Sequence, residues 1–172
     1  MPEIFRSRDC TVFFKSDTQT VSIDPAMEAG GWQGGQGVQW ITMPGDDRVV
    51  TYSSGLFGGF MLWGSDEEGD RFVSMARSQV VYRYATMFSG GALMSTRTYE
   101  KYTHASRLAG GPLVPLDYHV QDILYLSLRG WWTKEDELTL SSDLRAPAFF
   151  CGFVAQVPKE SNRYFMGIQT SM

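Results

Sequence analysis

The sequence predicts an all-β protein, a single-domain β-sandwich of jelly-roll-like form with about a dozen short, mainly antiparallel strands; a closed β-barrel is the alternative architecture. Three observations carry this. Runs rich in Val, Thr, Tyr, Phe and Trp are cut every eight to twelve residues by Gly, Pro, Asp or Ser. No ten-residue stretch shows the i, i+3, i+4, i+7 apolar spacing of an amphipathic helix. Aromatic residues make up 14% of the chain and glycines number 18, a mixture of large rings and tight-turn residues that suits pleated sheets.

The first nine residues read as a loose arm, and residues 10–172 as one β-rich domain. Residues 10–15 and 20–23 look like two short strands around a turn at Ser16-Asp17-Thr18. Asp24-Pro25 then stops pairing, because proline has no amide hydrogen to give to a ladder. Residues 29–37 are the most glycine-rich stretch, a flexible or tightly folded loop anchored by Trp32. Residues 38–43 and 48–53 read as a hairpin around Pro44-Gly45-Asp46-Asp47. Residues 57–63 and 71–75 read as a second hairpin with a long acidic loop, and Gly58-Gly59 marks a bulge or a close backbone contact.

Residues 79–88 and 92–102 are the longest strand candidates, joined by Ser89-Gly90-Gly91. Ala109-Gly110-Gly111-Pro112 and Pro115 mark an irregular crossing between sheets. The clearest core strand is 123–128, with Leu124, Leu126 and Leu128 on one face. Residues 138–141, 148–157 and 164–170 complete the set, while 9–15 and 135–140 have room for a helical turn. The Gly-Gly pairs are unevenly spaced, which excludes a regular repeat.

Net charge is −4 and the basic residues are scattered singly, so no phosphate-neutralising stripe exists and nucleic acid is not an expected partner. Lys134-Glu135-Asp136-Glu137 and Asp66-Glu67-Glu68 read as solvated loops. No apolar run approaches the about 20 residues of a membrane helix, and the N-terminus has no secretory h-region. Cys10 and Cys151 sit in strand-like runs as small apolar residues. Arg outnumbers Lys by 11 to 4 and Asn162 is the sole Asn, a bias typical of GC-rich bacterial or bacteriophage genomes.

Motifs for chemistry are sparse. There is no G-x-S-x-G elbow, no P-loop, no EF-hand and no zinc spacing. His104 and His119 are the only bases of their type. On a strand, Asp117, His119 and Gln121 would share a face, so Asp117, His119 and Asp122 form a weak polar constellation able to pair a histidine with a carboxylate. His104 reads as structural. Glu100, Asp117 and Asp122 are the acids from which a glycosidase pair would have to come. Trp32, Trp63, Trp131 and Trp132 are the candidate interaction residues, since exposed tryptophans anchor interfaces and stack on sugars; Trp40 belongs with them. The nine methionines read as gap fillers.

The chain is therefore expected to be a non-enzymatic structural or interaction subunit of a larger assembly. In general look it is similar to capsid decoration, tail and fibre proteins of bacterial viruses, which points to a virion or the cytoplasm. Its expected partners are other protein subunits, as a homo-oligomer or hetero-assembly, with no cofactor, metal or membrane insertion. The alternatives are a ligand- or glycan-binding β-barrel of lectin-like type, and a small β-barrel hydrolase or isomerase using His119 with Asp117 or Asp122.

Overall fold

In a computed structural model of the chain the described residues are 5–6, 10–13, 17–52, 58–65, 84–89, 91–127, 130–135 and 150–170. They form twelve strands: β1 (Phe5–Arg6), β2 (Cys10–Val12), β3 (Asp17–Ile23), β4 (Gly37–Met43), β5 (Asp46–Tyr52), β6 (Gly59–Ser65), β7 (Tyr84–Ser89), β8 (Leu93–Thr96), β9 (Ile123–Leu126), β10 (Trp132–Thr133), β11 (Phe150–Gln156) and β12 (Met166–Thr170). Helix α1 spans Pro25–Gly30, α2 spans His104–Ala109, and a 3-10 turn covers Glu160–Asn162. The protein is all-β. Five strands close a barrel in the order β3-β5-β4-β6-β7, and the other seven form an open sheet in the order β1-β2-β8-β12-β11-β9-β10. The barrel is the alternative architecture that the sequence left open. Every strand pair is antiparallel except β3 with β5.

The expected hairpin is β4–β5, with Val38 opposite Tyr52 and Trp40 opposite Val50. Pro25 ends β3 as predicted, but it also opens α1 at the first helical turn, where a missing amide hydrogen costs nothing. The helix lays Met27 into the barrel core beside Val21, Ile23, Val38, Val50, Met61 and Met87. Thr51 donates to Asp24 Oδ2 at 2.9 Å and the Tyr52 hydroxyl to the Gly31 carbonyl at 2.6 Å, fastening α1 to β5.

Residues 59–62 of β6 and 85–88 of β7 are buried whichever face they point to. Met61, Ala85 and Met87 point into the barrel. Phe60, Leu62 and Phe88 point out of it, into a second core with Met94, Leu124, Leu126, Trp132, Val154 and Ile168 of the sheet. Phe60 stacks on Trp132 with ring centroids 4.8 Å apart and tilts against Phe88 at 5.3 Å.

The glycine-rich loop is the tightly folded alternative, and it joins the two sheets. Residues 34–37 are buried. The Gly35 amide donates to Met61 O at 2.7 Å on the barrel side. On the sheet side the Thr98 hydroxyl donates to Gly34 O at 2.6 Å, the Trp132 indole N–H to Gly35 O at 3.0 Å, and the Gly37 amide to Gly130 O at 2.7 Å. The Gln36 side chain accepts from the Gln33 amide at 3.0 Å, closing the loop on itself. Trp32 is half-buried against the barrel core, as the expected anchor.

Several local expectations are corrected. Strands β2 and β3, adjacent in sequence, lie in different sheets, and Asp17-Thr18 belong to β3 rather than to a turn. Likewise β7 and β8 separate across 90–91, so the chain changes sheets there and not only near Pro112. Residues 10–12 are the expected strand, while α2 stands where an extended end was expected. Phe5 and Arg6 of the expected arm pair with Val12 and Thr11. Gly59 is the close contact foreseen, since a Cβ there would meet Phe88 O at 2.7 Å. The expected strands 71–75 and 138–141, the segment 79–83 and the acidic residues 66–70 lie outside the described residues. Among the described residues no helix is long and apolar enough to cross a membrane.

Candidate functional site

The structure brings Asp117, His119 and Asp122 together, but not on a strand. Residues 119–122 form a tight turn in which Gln121 takes a left-handed φ of 73°. Asp122 Oδ2 accepts from the His119 amide at 2.7 Å, and the Asp122 amide donates back to His119 O at 3.0 Å. Lys134 Nζ sits 3.0 Å from Asp122 Oδ2 and donates to Asp117 O at 2.5 Å. The His119 ring lies 3.4 Å from Asp117 and 3.7 Å from Asp122, with its side chain 67% exposed. Burial raises the Asp122 carboxyl, but the His119 amide and the Lys134 ammonium outweigh it and hold the group below its ordinary value. Water screens such exposed pairs. The constellation is a capped turn with an ion pair.

Glu100 is a buried carboxylate with partners. Its Oε2 lies 3.3 Å from the Arg107 guanidinium, and its Oε1 accepts from Ser127 Oγ at 3.2 Å. His104 is buried at the start of α2, where Thr103 Oγ1 caps the helix by accepting from the Ser106 amide, and its own amide donates to Glu135 Oε1 at 2.9 Å. Among the described residues no three His, Cys, Asp or Glu are grouped to hold a metal. Cys10 is wholly buried in the core of the open sheet.

The tryptophans divide. Trp132 is wholly buried, so it is a core residue and not a surface anchor. Trp131 and Trp32 are half-buried. Trp40 is 37% exposed and covers Gly58, where any Cβ would meet its indole at 2.8 Å. The Trp63 side chain and that of Cys151 lie outside the described residues.

Two surfaces escaped the sequence. The first is a row across the outward face of the open sheet. Strand registers set Leu93 opposite Gln169, Gln169 opposite Phe153 and Phe153 opposite Ile123. Phe13 extends the row, its amide donating to Leu93 O at 2.9 Å. Phe13, Phe153 and Ile123 are 37, 38 and 50% exposed. The flanking outward positions Thr11, Ser95, Ala155 and Tyr125 carry no charge either, in a chain whose residues are 20% charged. Each strand contributes one residue, and only the pairing order assembles them.

The second is a cleft of about 540 Å³ beside α2, walled by Tyr99, Tyr102, Tyr118 and Tyr164, with Arg97, Lys101, Arg163 and Asp117 around it. Tyr99 and Tyr118 pack edge to face at 5.6 Å. Their hydroxyls are committed, Tyr99 donating to Tyr164 O at 2.7 Å and Tyr118 to Glu100 O at 2.5 Å. Burial, reinforced by the Glu100 carboxylate, pushes the Tyr118 phenol far above its ordinary value.

The Tyr118 shift has a definite sign. The folded state holds the proton more tightly than the unfolded chain, so this stability is complete below pH about 10 and is lost as pH rises past it, by up to about 1.4 kcal/mol per pH unit. Tyr118→Phe is expected to cost about 1–3 kcal/mol at pH 8 by leaving Glu100 O unpaired, and to flatten the decline between pH 10 and 11. Urea melts at pH 8, 10 and 11 measure both; an unchanged alkaline slope would contradict the assignment.

Comparison with known proteins finds no matching family model, no matching curated protein and no matching solved structure.

Proposed function

We propose that the chain is a non-enzymatic subunit that works by assembly, and that it meets a second copy of itself through the outward face of the open sheet. The observation that carries this is the uncharged row Phe13–Leu93–Gln169–Phe153–Ile123. Exposed apolar residues grouped on one uncharged face, rather than scattered, mark interaction sites. Addition of a strand at the β10 edge is disfavoured, because the Trp132 amide and carbonyl are already bonded to Thr98 O and the Glu100 amide. Face packing remains, and the row suits a two-fold operation. An axis along β12, between two facing sheets, sets Phe13 against the partner copy's Ile123, Leu93 against its Phe153, and the two Gln169 amides against each other. The narrower reading, a bacteriophage-type decoration, tail or fibre component, rests on the β-rich, glycine-rich, acidic character of the sequence.

Light scattering on a size-exclusion column tests the proposal. The native chain is expected to run at a multiple of 19.3 kDa. The double variant Phe153→Asp, Ile123→Glu is expected to be monomeric with an unchanged circular dichroism spectrum, since both positions are exposed. A native chain that stays at 19.3 kDa at high micromolar concentration would overturn the reading.

A further inference from the structure

The tyrosine-walled cleft is remote in character from the apolar row. Three of its lining side chains are cations, Arg97, Lys101 and Arg163, against the single carboxylate of Asp117, in a protein of net charge −4. The Lys101 and Arg163 side chains have no hydrogen-bond or ion-pair partner among the described residues. Arg97 is held over the Phe165 ring, 4.8 Å from its centroid. Tyr102 and Tyr164 line the cleft and are 37 and 55% exposed.

The backbone is strained where it delivers two of these groups. Arg163 and Tyr164 both adopt left-handed conformations, with φ of 55° and 61°. Non-glycine residues in that region cost about 1–3 kcal/mol each and persist only where their surroundings over-determine them. Here the 3-10 turn does so. The Tyr164 amide donates to Lys159 O at 2.9 Å and the Arg163 amide to Glu160 O at 3.0 Å, while Asn162 Oδ1 accepts from the Lys159 amide at 2.9 Å.

We propose that this cleft binds an acidic sugar, a saccharide ring bearing a carboxylate or a phosphate. The exposed tyrosine rings stack on the apolar face of a sugar ring. The Arg163 guanidinium and the Lys101 ammonium take the anionic group, and guanidinium forks match such groups bidentately. Asp117 favours a sugar over a bare anion: its carboxylate, 88% exposed and 3.4 Å from the His119 ring, accepts hydrogen bonds from ring hydroxyls. A cleft of about 540 Å³ falls in the size range of small-molecule sites.

Calorimetric titration of the full chain with glucuronate, glucose 6-phosphate, glucose and inorganic phosphate tests this. Binding of glucuronate or glucose 6-phosphate at least tenfold tighter than glucose, and tighter than inorganic phosphate, is expected; which of the two binds better identifies the anionic group. Lys101→Gln with Arg163→Asn, which removes both charges while keeping a residue that tolerates the left-handed backbone, is expected to weaken that binding at least tenfold. Tyr164→Ala is expected to weaken it several-fold at unchanged thermal stability. Equal binding of glucose, tighter binding of inorganic phosphate, no binding of either acidic sugar at millimolar concentration, or affinity indifferent to the charge-removing variant would each overturn the proposal.

Discussion

Replacing Trp132 with Ala is expected to remove about 3–5 kcal/mol of stability, the range for deleting a fully buried large aromatic side chain. Domains of this size are stable by about 5–15 kcal/mol, so the variant would sit near the edge of unfolding. Two losses combine. The ring stacks on Phe60 and belongs to the core shared by the barrel and the open sheet, so its removal opens a void between them. Its indole N–H is also the partner of the buried Gly35 carbonyl. Trp132→Phe separates the two, keeping the stack and losing the hydrogen bond, at an expected cost of about 1–3 kcal/mol. Urea denaturation followed by circular dichroism gives both numbers. A Trp132→Ala loss below about 1 kcal/mol would fit a partly exposed tryptophan and contradict the buried placement.

Gly130→Ala is the second large effect. Gly130 has φ of +79°, and a Cβ there would overlap the carbonyl group of Gly37. The Gly37 amide donates to Gly130 O at 2.7 Å, so the two backbones are clamped together and neither can retreat without breaking that bond. The left-handed backbone alone costs an L-residue about 1–2 kcal/mol, and forced overpacking adds about 1–3 kcal/mol. Gly45 supplies the control, with φ of +81° and nothing within 4 Å of the position a Cβ would take. Gly45→Ala is expected to show only the backbone cost. Equal losses for the two variants would mean that the glycine loop is not the clamp between barrel and sheet.

Much of the strand content was legible because turn chemistry and alternation agree. Pro44-Gly45 between alternating runs marks the β4–β5 hairpin, and Leu124 and Leu126 share the buried face predicted for them. The helices were not legible because six residues give less than two turns of periodicity. Their start signals are present all the same, Asp24-Pro25 and the Thr103 cap. Sheet membership failed for a different reason. Neighbouring strands usually pair, yet β2 and β3 part, as do β7 and β8. The double-sided burial of β6 and β7 was the available clue, for Phe60-Met61-Leu62 has no polar face to give to solvent. Asp117, His119 and Asp122 were legible as neighbours, while their role in a turn was hidden by reading 117–122 as extended. The apolar row and the tyrosine cleft draw on segments far apart in sequence, so only the folded registers bring them together.

The proposed assembly is tested most directly at the centre of the row. Gln169 lies on the proposed two-fold axis, so Gln169→Cys places two thiols face to face across the interface, whereas native Cys10 is buried. Under mild oxidation this variant is expected to give a disulfide-linked band at twice 19.3 kDa on a non-reducing gel, well above the wild-type background. The band is expected to disappear when Phe153→Asp is added. A Gln169→Cys chain that cross-links no more than wild type would contradict self-association through this face.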